Sequence, residues 1–421
     1  MKKVVIIGGG ASGLFASIYI KKYCPKIEVI IVERLERIGK KILATGNGRC
    51  NFSNTHVNTK KYNNGSFVSP TLKELDYKKL IIELEELGLM VVTDNEGRAY
   101  PYSEMANSFL DILRINIKKL GIIEKCNFDV TKISNIGTLD SPKYLIEDTR
   151  KQRIEADFVI IATGGKAYPI LGSNGSGYTL LKPWKVKITD TEPGLVGVKV
   201  DPQTIKGLTG LRIRPKVSLW DKKAKQKVWE ESGEVLFKED GVSGIVIMQM
   251  ASIIARSEIV KSTNHYSFEF DLLPNIDEET LFTMLVKRRE KMEGIENSDF
   301  LNGIFPKALG FNLIKRSKLD LSSRIENISM KDLIRLIDTI KYYTLDYKGT
   351  YGFDRAQVTV GGISLNEINK DTLEFTKIPH MYACGEVLDV DGECGGYNMH
   401  WALASGYRVA ESIKEKCEAN E

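Results

Sequence analysis

Residues 2–17 read Lys2-Lys3-Val4-Val5-Ile6-Ile7-Gly8-Gly9-Gly10-Ala11-Ser12-Gly13-Leu14-Phe15-Ala16-Ser17, and this stretch decides the fold. The apolar run before the glycines predicts a buried strand of a parallel sheet, and the small and apolar residues after them predict a helix. In the G-x-G-x-x-G pattern, Gly8 makes the tight turn, Gly10 lets the backbone approach a pyrophosphate, and Gly13 lets the helix pack on the strand. The helix N-terminus presents unpaired N–H groups to the phosphates. The stretch therefore predicts a dinucleotide-binding turn.

An acidic residue ends the second predicted strand. Val29-Ile30-Ile31-Val32 is followed by Glu33, at the spacing where a carboxylate binds a ribose hydroxyl and repels a 2′-phosphate. A tight strand-to-helix turn without a ligand is the alternative, but it does not explain the carboxylate. The agreement of strand, turn, helix, second strand and acidic end predicts nucleotide binding.

The composition limits the classes of function. The chain has 421 residues, with 42% hydrophobic and 27% charged residues, as in globular proteins. Its net charge of +5 is small and spread along the chain, so we expect no nucleic-acid partner. The apolar runs are too short for a bilayer span or a signal peptide, so we expect no membrane partner and a cytoplasmic location. The scattered cysteines and histidines predict reduced thiols and no metal site.

A second glycine-rich loop spans Gly39–Asn51 and has no hydrophobic periodicity. Its lysines and its arginine are suited to phosphate charge. The backbone of Thr45-Gly46-Asn47-Gly48 is suited to a close approach to a flat ring. An ordinary surface loop is the alternative. Because the loop directly follows the ribose position, we expect it to bind the cofactor.

Glycines return after two later predicted strands. The strand Asp157–Ile161 runs into Ala162-Thr163-Gly164-Gly165, and a strand near the C-terminus runs into Gly385–Asn398 and a helix. The strand Asp157–Ile161 is not followed by a second G-x-G-x-x-G, which argues against a second dinucleotide domain.

The middle of the chain has a different pattern. Alternating polar and apolar residues predict antiparallel sheet, and helical spacing follows them. We therefore expect four parts: the first part of a nucleotide-binding domain at 1–188, an inserted β-rich substrate domain at 189–275, an inserted helical subdomain at 276–345, and the second part of the nucleotide-binding domain at 346–421.

An extended FAD accounts for both distant glycine-bearing ends, whereas a simple NAD domain needs neither Thr45–Asn51 nor Gly385–Asn398. A helix that starts near Gly396 would direct its positive end at the N1/C2 edge of the flavin and stabilise the anionic reduced form. Glu386 and Asp389 are suited to the ribityl or pyrophosphate groups. The alternative for Gly395-Gly396 is a flexible loop.

The predicted cofactor-binding residues come from these segments and from a strand that runs beside the nucleotide. They are Gly8, Gly10, Ala11, Ser12, Gly13, Glu33, Arg34, Lys40, Lys41, Thr45, Gly46, Asn47, Gly48, Arg49, Cys50, Asn51, Val130, Thr163, Gly164, Gly165, Gly385, Glu386, Asp389, Gly395, Gly396, Tyr397 and Asn398.

Taken together, these segments resemble the BaiN-like NAD(P)/FAD-dependent oxidoreductases, a bacterial branch of the glutathione-reductase-type flavoproteins. Further matches are Gly97–Pro101, Gly172–Tyr178 and Val358–Gly362, so the resemblance covers essentially the whole chain. It implies an α/β fold, with a Rossmann-like FAD-binding domain, an inserted β-barrel-like domain and a small helical domain.

Two segments depart from the pattern of that family. Lys238 and Glu239 replace its Thr-His, and Ile245 replaces a proline. Met399-His400-Trp401 replaces Leu-Gln-Trp. If either segment reaches the substrate, we expect a specificity different from that of typical members.

The expected activity is hydride transfer through FAD. NAD(P)H would reduce the flavin, and the hydride would pass to an electron-poor small molecule such as a conjugated enone. The resemblance implies dehydro-bile-acid or steroid-like substrates. The candidate proton donors are Tyr397, His400 and Tyr168, and we expect Cys50 to be structural because it lacks the partner cysteine of a disulfide reductase.

Two other functions stay open. One is an oxidase of amines or aminoketones that returns electrons to oxygen. The other is a flavin-containing module that binds RNA or protein through the basic segment Asp221–Lys227, which we interpret instead as a solvated hairpin. The physiological substrate, the preferred nicotinamide and the oligomeric state do not follow from the sequence.

Overall fold

The computed structural model describes residues 2–138, 141–258 and 265–418. The chain forms two compact units, Met1–Gly194 with Phe353–Glu421, and Leu195–Gly352. The first unit is therefore built from both ends of the chain. The predicted boundaries at 188, 275 and 345, and the division of the insertion into a β-rich and a helical part, stay predictions.

The described residues form ten α-helices and 21 strands. The helices are α1 (Ala11–Tyr23), α2 (Gly65–Glu74), α3 (Tyr77–Glu86), α4 (Ala106–Lys119), α5 (Ser176–Leu181), α6 (Ile245–Glu258), α7 (Glu278–Lys291), α8 (Lys307–Arg316), α9 (Met330–Lys341) and α10 (Tyr397–Glu418). The strands are β1 (Lys3–Ile7), β2 (Glu28–Val32), β3 (Ser53–Asn54), β4 (Val91–Thr93), β5 (Arg98–Pro101), β6 (Ile123–Lys125), β7 (Val130–Asn135), β8 (Tyr144–Asp148), β9 (Arg153–Ala156), β10 (Phe158–Ile161), β11 (Glu192–Gly194), β12 (Val198–Lys199), β13 (Arg212–Ile213), β14 (Lys216–Asp221), β15 (Gln226–Ser232), β16 (Val235–Phe237), β17 (Gly241–Ser243), β18 (Tyr266–Asp271), β19 (Tyr343–Asp346), β20 (Val358–Val360) and β21 (Met381–Ala383).

A parallel sheet forms the centre of the first unit. Its five strands lie in the order β21-β10-β1-β2-β6. The inner strands are continuous apolar runs, and all four residues of β10 are buried, as expected when helices cover both faces of a parallel sheet. This sheet and its helices confirm the predicted α/β fold class.

Helix α1 packs closely against α10. A Cβ added at Gly406 of α10 would lie 2.4 Å from the carbonyl oxygen of Ser12 in α1, so this glycine lets the two backbones approach. Beside this contact, the Tyr19 hydroxyl donates to Glu83 Oε2 at 2.8 Å, and Tyr23 and Tyr407 join their hydroxyls at 2.7 Å. The first and last helices of the unit therefore share one core.

The second unit contains two antiparallel sheets and four helices within its described residues. The sheets have the strand orders β12-β17-β16-β13 and β15-β14-β18-β19. The alternating run Lys216–Trp220 lies in β14, which pairs antiparallel with β15 and β18, as its pattern predicts. Helices α6–α9 accompany these sheets.

Within residues 2–138, 141–258 and 265–418, no helix combines the length and the apolar character that a membrane crossing requires. The same residues contain no group of three or more histidine, cysteine, aspartate or glutamate side chains arranged to hold a metal ion.

Candidate dinucleotide site

The first glycine turn has the geometry that its pattern predicts. Gly8 has φ +113°, and a Cβ there would lie 2.3 Å from the Ala162 carbonyl oxygen. A Cβ at Gly13 would lie 2.2 Å from the Gly8 carbonyl oxygen. At Gly10, in contrast, a Cβ would meet no atom within 4 Å. Gly8 and Gly13 are therefore required by the fold, whereas Gly10 borders open space.

Helix α1 begins at this open space. Its N-cap is Gly10, no side chain caps its N-terminus, and its first turn contains no acidic residue. Ala11 and Ser12 lie in that first turn. The backbone N–H groups and the helix dipole therefore form a positive end that can accept a phosphate.

Glu33 follows β2 directly and contacts the glycine turn. Its Oε2 accepts from the Gly9 amide and its Oε1 from the Leu35 amide, both at 2.9 Å. Burial raises the pKa of this carboxyl group, while the two amide hydrogen bonds act in the opposite direction. Each carboxylate oxygen has a second lone pair, so Glu33 can still accept from a ribose hydroxyl.

Arg34 and Val130 lie beside Glu33. The Phe128 amide donates to the Glu33 carbonyl at 2.9 Å, which brings the segment before Val130 next to β2. Arg34 Nε lies 4.0 Å from Asp129 Oδ1. Its Nη1 is buried and has no hydrogen-bond partner among the described residues. The structure therefore leaves a buried donor next to the predicted ribose position.

The two adjacent lysines of the second glycine-rich loop form ion pairs with different partners. Lys41 Nζ pairs with Glu386 Oε2 at 2.6 Å and thereby joins the loop to the C-terminal segment. Lys40 Nζ pairs with Glu36 at 2.6 Å, and that carboxylate is exposed. Lys41 thus lies among the predicted cofactor residues, whereas Lys40 makes a surface pair.

Five residues of this loop adopt backbone conformations with positive φ. They are Gly39, Gly46, Asn47, Gly48 and Cys50. Thr45 fixes the loop from within, because its hydroxyl donates to the Ile42 carbonyl at 2.6 Å. Residues 46–48 are exposed, so their backbone is accessible to a ligand.

Arg49 and Cys50 have different surroundings. Arg49 Nη2 pairs with Glu104 Oε2 at 2.5 Å, and the guanidinium lies 4.3 Å from the centre of the Tyr100 ring. Cys50 is fully buried, and burial raises the pKa of its thiol to about 12, so no thiolate forms near neutral pH.

Loop 51–54 holds the C-terminal glycines. Asn51 accepts from the Gly396 amide at 3.2 Å and donates to the Ser53 carbonyl at 2.9 Å when its amide group is oriented to satisfy both. Asn54 Nδ2 donates to the Gly395 carbonyl at 3.1 Å. Gly395 and Gly396 have φ +128° and +98°, and a Cβ at Gly396 would lie 2.3 Å from the Ser53 carbonyl oxygen. The two loops therefore meet directly before α10.

Gly385 brings the C-terminal segment to the first turn. It has φ +79°, and a Cβ there would lie 2.5 Å from the Ser12 hydroxyl oxygen. Thr163, Gly164 and Gly165 approach from the end of β10, and a Cβ at Gly164 would lie 2.7 Å from Ser173 Oγ. One neighbourhood thus contains all three later glycine segments and the N-terminus of α1.

The side chains of Asp389 and Asn398 form hydrogen bonds with other residues of the protein. Asp389 Oδ2 accepts from the Thr189 hydroxyl at 3.0 Å. Asn398 accepts from the Gly392 amide and donates to the Gly392 carbonyl, both at 2.8 Å. Their side chains therefore fix the loop that carries Gly395 and Gly396.

The structure gives His400 a structural environment. The ring is fully buried; Nδ1 lies 2.8 Å from the Ser53 hydroxyl and Nε2 lies 3.0 Å from the Leu75 carbonyl oxygen. Because a carbonyl only accepts, the Nε2 atom carries the proton, and Nδ1 accepts from Ser53. Burial lowers the pKa of His400 to about 4. Both ring nitrogens are occupied, so we no longer propose His400 as a proton donor.

Tyr397 is the first residue of α10 and is 5% exposed. Burial raises the pKa of its phenol. Its ring faces Lys61, whose Nζ lies 5.6 Å from the ring centre. The neighbouring Tyr62 hydroxyl donates to the Tyr397 carbonyl at 2.9 Å. Tyr397 therefore has the protonated phenol that a proton donor needs.

Sequence reasoning missed the segment 61–64, which runs along the C-terminal loop. Tyr62 forms an antiparallel bridge with Gly392, and the Asn63 amide donates to the Asp391 carbonyl at 3.1 Å. Asn64 Nδ2 donates to the Asp389 carbonyl at 2.8 Å. This contact joins positions more than 300 residues apart, and no local pattern in the sequence indicates it.

The residues fit FAD. The open N-terminus of α1 suits a pyrophosphate, Glu33 retains acceptor capacity for a ribose hydroxyl, and the buried Arg34 Nη1 needs an acceptor. The exposed backbone of residues 46–48 and the N-terminus of α10 are available for the remaining parts of the cofactor.

We expect replacement of His400 by glutamine to make the free energy of unfolding depend less on pH in the acidic range. Between about pH 6.5 and about pH 4 the unfolded chain takes up a proton at His400 that the native chain excludes. The free energy of unfolding therefore falls as pH decreases through this window, by up to ~1.4 kcal/mol per pH unit, and this contribution is absent above the window. Urea unfolding across the window measures the slope for wild type and His400→Gln. The exposed His56→Gln is the matched control, and equal slopes in all three proteins would contradict the assignment.

Comparisons with known proteins identify the family of this chain. A family described as the HI0933-like protein Rossmann domain matches residues 2–412. A 3-dehydro-bile acid delta(4,6)-reductase from Clostridium scindens is 34% identical over an alignment of 423 positions that covers 99% of this chain and 100% of the relative. A ribosomal RNA dihydrouridine synthase from Escherichia coli is 27% identical over 97% of both chains.

A solved structure supports the fold alone. The 3-ketosteroid delta1-dehydrogenase from Sterolibacterium denitrificans matches with a TM-score of 0.50 at 10% identity, over 99% of this chain and 100% of that chain. The full-length match to a reductase confirms the predicted enzyme class, an oxidoreductase, and the BaiN-like resemblance. The chain belongs to the HI0933-like family of Rossmann-domain proteins.

Proposed function

We propose that this protein is an FAD-dependent reductase that saturates a carbon–carbon double bond conjugated with a carbonyl, with NAD(P)H as electron donor and a steroid-like enone as substrate. The observation that carries the proposal is the end-to-end similarity to the 3-dehydro-bile acid delta(4,6)-reductase. The paired glycine loops around the open end of α1 support the cofactor.

The other relatives support the same bond chemistry. Dihydrouridine is uridine whose 5,6 double bond, conjugated with a ring carbonyl, has been saturated. A dihydrouridine synthase and a delta(4,6)-reductase therefore share hydride addition to the β-carbon of a conjugated carbonyl compound. We infer this reaction class for the present chain.

FAD, when bound, accepts a hydride from the nicotinamide and supplies it to the substrate. The first turn of α1 binds the pyrophosphate, and Glu33 accepts from a ribose hydroxyl. The glycines before α10 let the backbone approach the flavin, and the positive end of α10 favours negative charge on it.

Tyr397 is the proposed proton donor. Saturation of an enone needs a proton at the α-carbon in addition to the hydride at the β-carbon. Burial raises the pKa of Tyr397 and keeps its phenol protonated near neutral pH. Lys61, which pairs with Glu393 at 2.7 Å and lies 5.6 Å from the ring centre, acts in the opposite direction, because its positive charge favours the phenolate that remains after proton donation.

The basic segment Asp221–Lys227 does not favour RNA. It forms the turn of the β14–β15 hairpin, which confirms the hairpin interpretation. Lys222 pairs with Asp346 at 2.8 Å and Lys227 with Glu230 at 2.5 Å, so carboxylates balance much of its charge. A uridine in RNA stays the second candidate substrate, because the dihydrouridine synthases match nearly the whole chain.

We expect NADH or NADPH to bleach the flavin absorbance of the purified protein under anaerobic conditions. Conjugated 3-oxo steroids should then restore the absorbance and appear as saturated products, measured by stopped flow and mass spectrometry. A uridine-containing RNA and a panel of amines are the comparison substrates. Persistence of oxidised flavin with both nicotinamides would refute the reductase, and fast reoxidation by oxygen with peroxide release would favour the oxidase.

We expect Gly10→Ala to fold like wild type and to bind FAD more weakly. Gly10 has φ −85°, which alanine adopts freely, and its Cβ would point into space open in the protein and occupied by the pyrophosphate in our proposal. Gly13→Ala is the matched contrast, because its Cβ would meet the Gly8 carbonyl oxygen and destabilise the fold itself. Thermal unfolding without FAD and titration with FAD separate the two effects. Unchanged FAD affinity in Gly10→Ala would contradict the proposed pyrophosphate position.

We expect Tyr397→Phe to slow enone reduction by roughly 100-fold or more while NAD(P)H still reduces the flavin at the wild-type rate. The reason is that only the oxidative half-reaction needs the proton. Rapid-mixing measurements of the two half-reactions test the split. Equal slowing of both half-reactions would assign Tyr397 a structural role instead.

A further inference from the structure

A buried hydroxyl in α5 has no role in the site described so far. Tyr178 is 6% exposed, and its hydroxyl oxygen finds no hydrogen-bond partner among the described residues. Buried hydroxyl groups are nearly always hydrogen-bonded, because loss of water without a replacement partner is unfavourable. The Tyr178 hydroxyl therefore retains a donor that an acceptor outside the polypeptide can satisfy, and its position in the fold decides which acceptor that is.

Tyr178 lies next to the candidate dinucleotide site. The Gly175 amide donates to the Gly165 carbonyl at 2.9 Å, and a Cβ at Gly177 would lie 2.1 Å from Thr163 Oγ1. Through these contacts, the start of α5 packs against the glycine turn that follows β10. Burial raises the pKa of the Tyr178 phenol, and the charges of Glu386 and Asp389 add to the effect. The hydroxyl is therefore a donor, and it lies near the C-terminal segment as well.

The nearby carboxylates are already engaged. Glu386 Oε2 pairs with Lys41 at 2.6 Å, and its Oε1 accepts from the Thr359 amide at 2.8 Å. Asp389 Oδ2 accepts from the Thr189 hydroxyl at 3.0 Å. Neither carboxylate accepts a hydrogen bond from Tyr178.

We propose that the Tyr178 hydroxyl donates a hydrogen bond to an oxygen in the central part of bound FAD, its ribityl chain or pyrophosphate. This inference rests on the proposed cofactor and adds a residue that the glycine patterns do not indicate. With this hydrogen bond, α5 becomes part of the FAD-binding site.

A second tyrosine provides a matched control. Tyr382 in β21 is fully buried, and its hydroxyl also lacks a partner among the described residues. Its surroundings are different, because Lys416 Nζ lies 5.8 Å from its ring centre and burial, together with the charge of Glu374, raises the pKa of its phenol. Tyr382 therefore carries the same chemical group in the same unsatisfied state, and the charges that act on its phenol come from Glu374 and Glu415, not from Glu386 and Asp389.

The test compares Tyr178→Phe and Tyr382→Phe with wild type, as apoprotein and with saturating FAD. In the apoprotein, Tyr178→Phe removes an unsatisfied hydroxyl, so we expect an unchanged or higher unfolding temperature. With FAD, we expect a smaller stabilisation by the cofactor and a dissociation constant about 10-fold higher than in wild type. Tyr382→Phe should leave the FAD dissociation constant unchanged. Tyr178→Leu repeats the test if the phenylalanine variant does not fold.

ADP is the second probe, because it carries a pyrophosphate and lacks the ribityl chain. Weaker binding of both FAD and ADP to Tyr178→Phe supports an acceptor on the pyrophosphate, and weaker binding of FAD alone supports one on the ribityl chain. Equal FAD affinity in Tyr178→Phe and wild type, with equal stabilisation by FAD, would overturn the inference and indicate a buried water as the partner.

The enone assay separates this inference from the proposed function. If wild type binds FAD and saturates enones but Tyr178→Phe binds FAD normally, only the inference fails. If Tyr178→Phe loses FAD affinity as expected and no enone is reduced, only the proposed reaction fails.

Discussion

The close approach of backbone segments from the two ends of the chain is the constraint on which the first unit depends. Ser12 at the start of α1 has two glycine neighbours, Gly385 and Gly406, at positions where a Cβ would lie 2.5 Å or less from its atoms. Such distances exclude any side chain, so the contact exists only because glycine occupies these positions. The same approach places the open end of α1 among the later glycine segments.

Polar side chains fix the geometry that these glycines permit. Lys41 and Glu386 form an ion pair in which both side chains are 22% exposed, and Asn51 and Asn54 bind the backbone of the glycines before α10. Partial burial strengthens the ion pair, and the amide groups leave few backbone polar atoms of the loop unpaired. A loop rich in glycine is thus held in one conformation before any ligand arrives, which lowers the entropic cost of binding.

The sequence predicted those features that depend on local backbone requirements. The tight turn at Gly8, the close packing at Gly13 and the acidic end of β2 all follow from the pattern, and the structure has them. The roles of individual polar side chains did not follow. Lys40 and Lys41 are adjacent in sequence, yet one forms a surface pair and the other an internal one. His400 was a candidate donor by residue type, and its burial against Ser53 and Leu75 depends on contacts that no local pattern contains.

The separation of α1 and α10 along the chain has a consequence for how the molecule forms. Ser12 contacts the Cys384 carbonyl across 372 positions, with the whole Leu195–Gly352 unit emerging between them. Nine of the thirteen residues of α1 are buried in the finished structure, so this helix keeps apolar surface exposed during synthesis until α10 arrives. Loop-closure entropy makes such distant pairing slow. Nascent chains of this architecture are therefore natural clients of chaperones that shield hydrophobic segments.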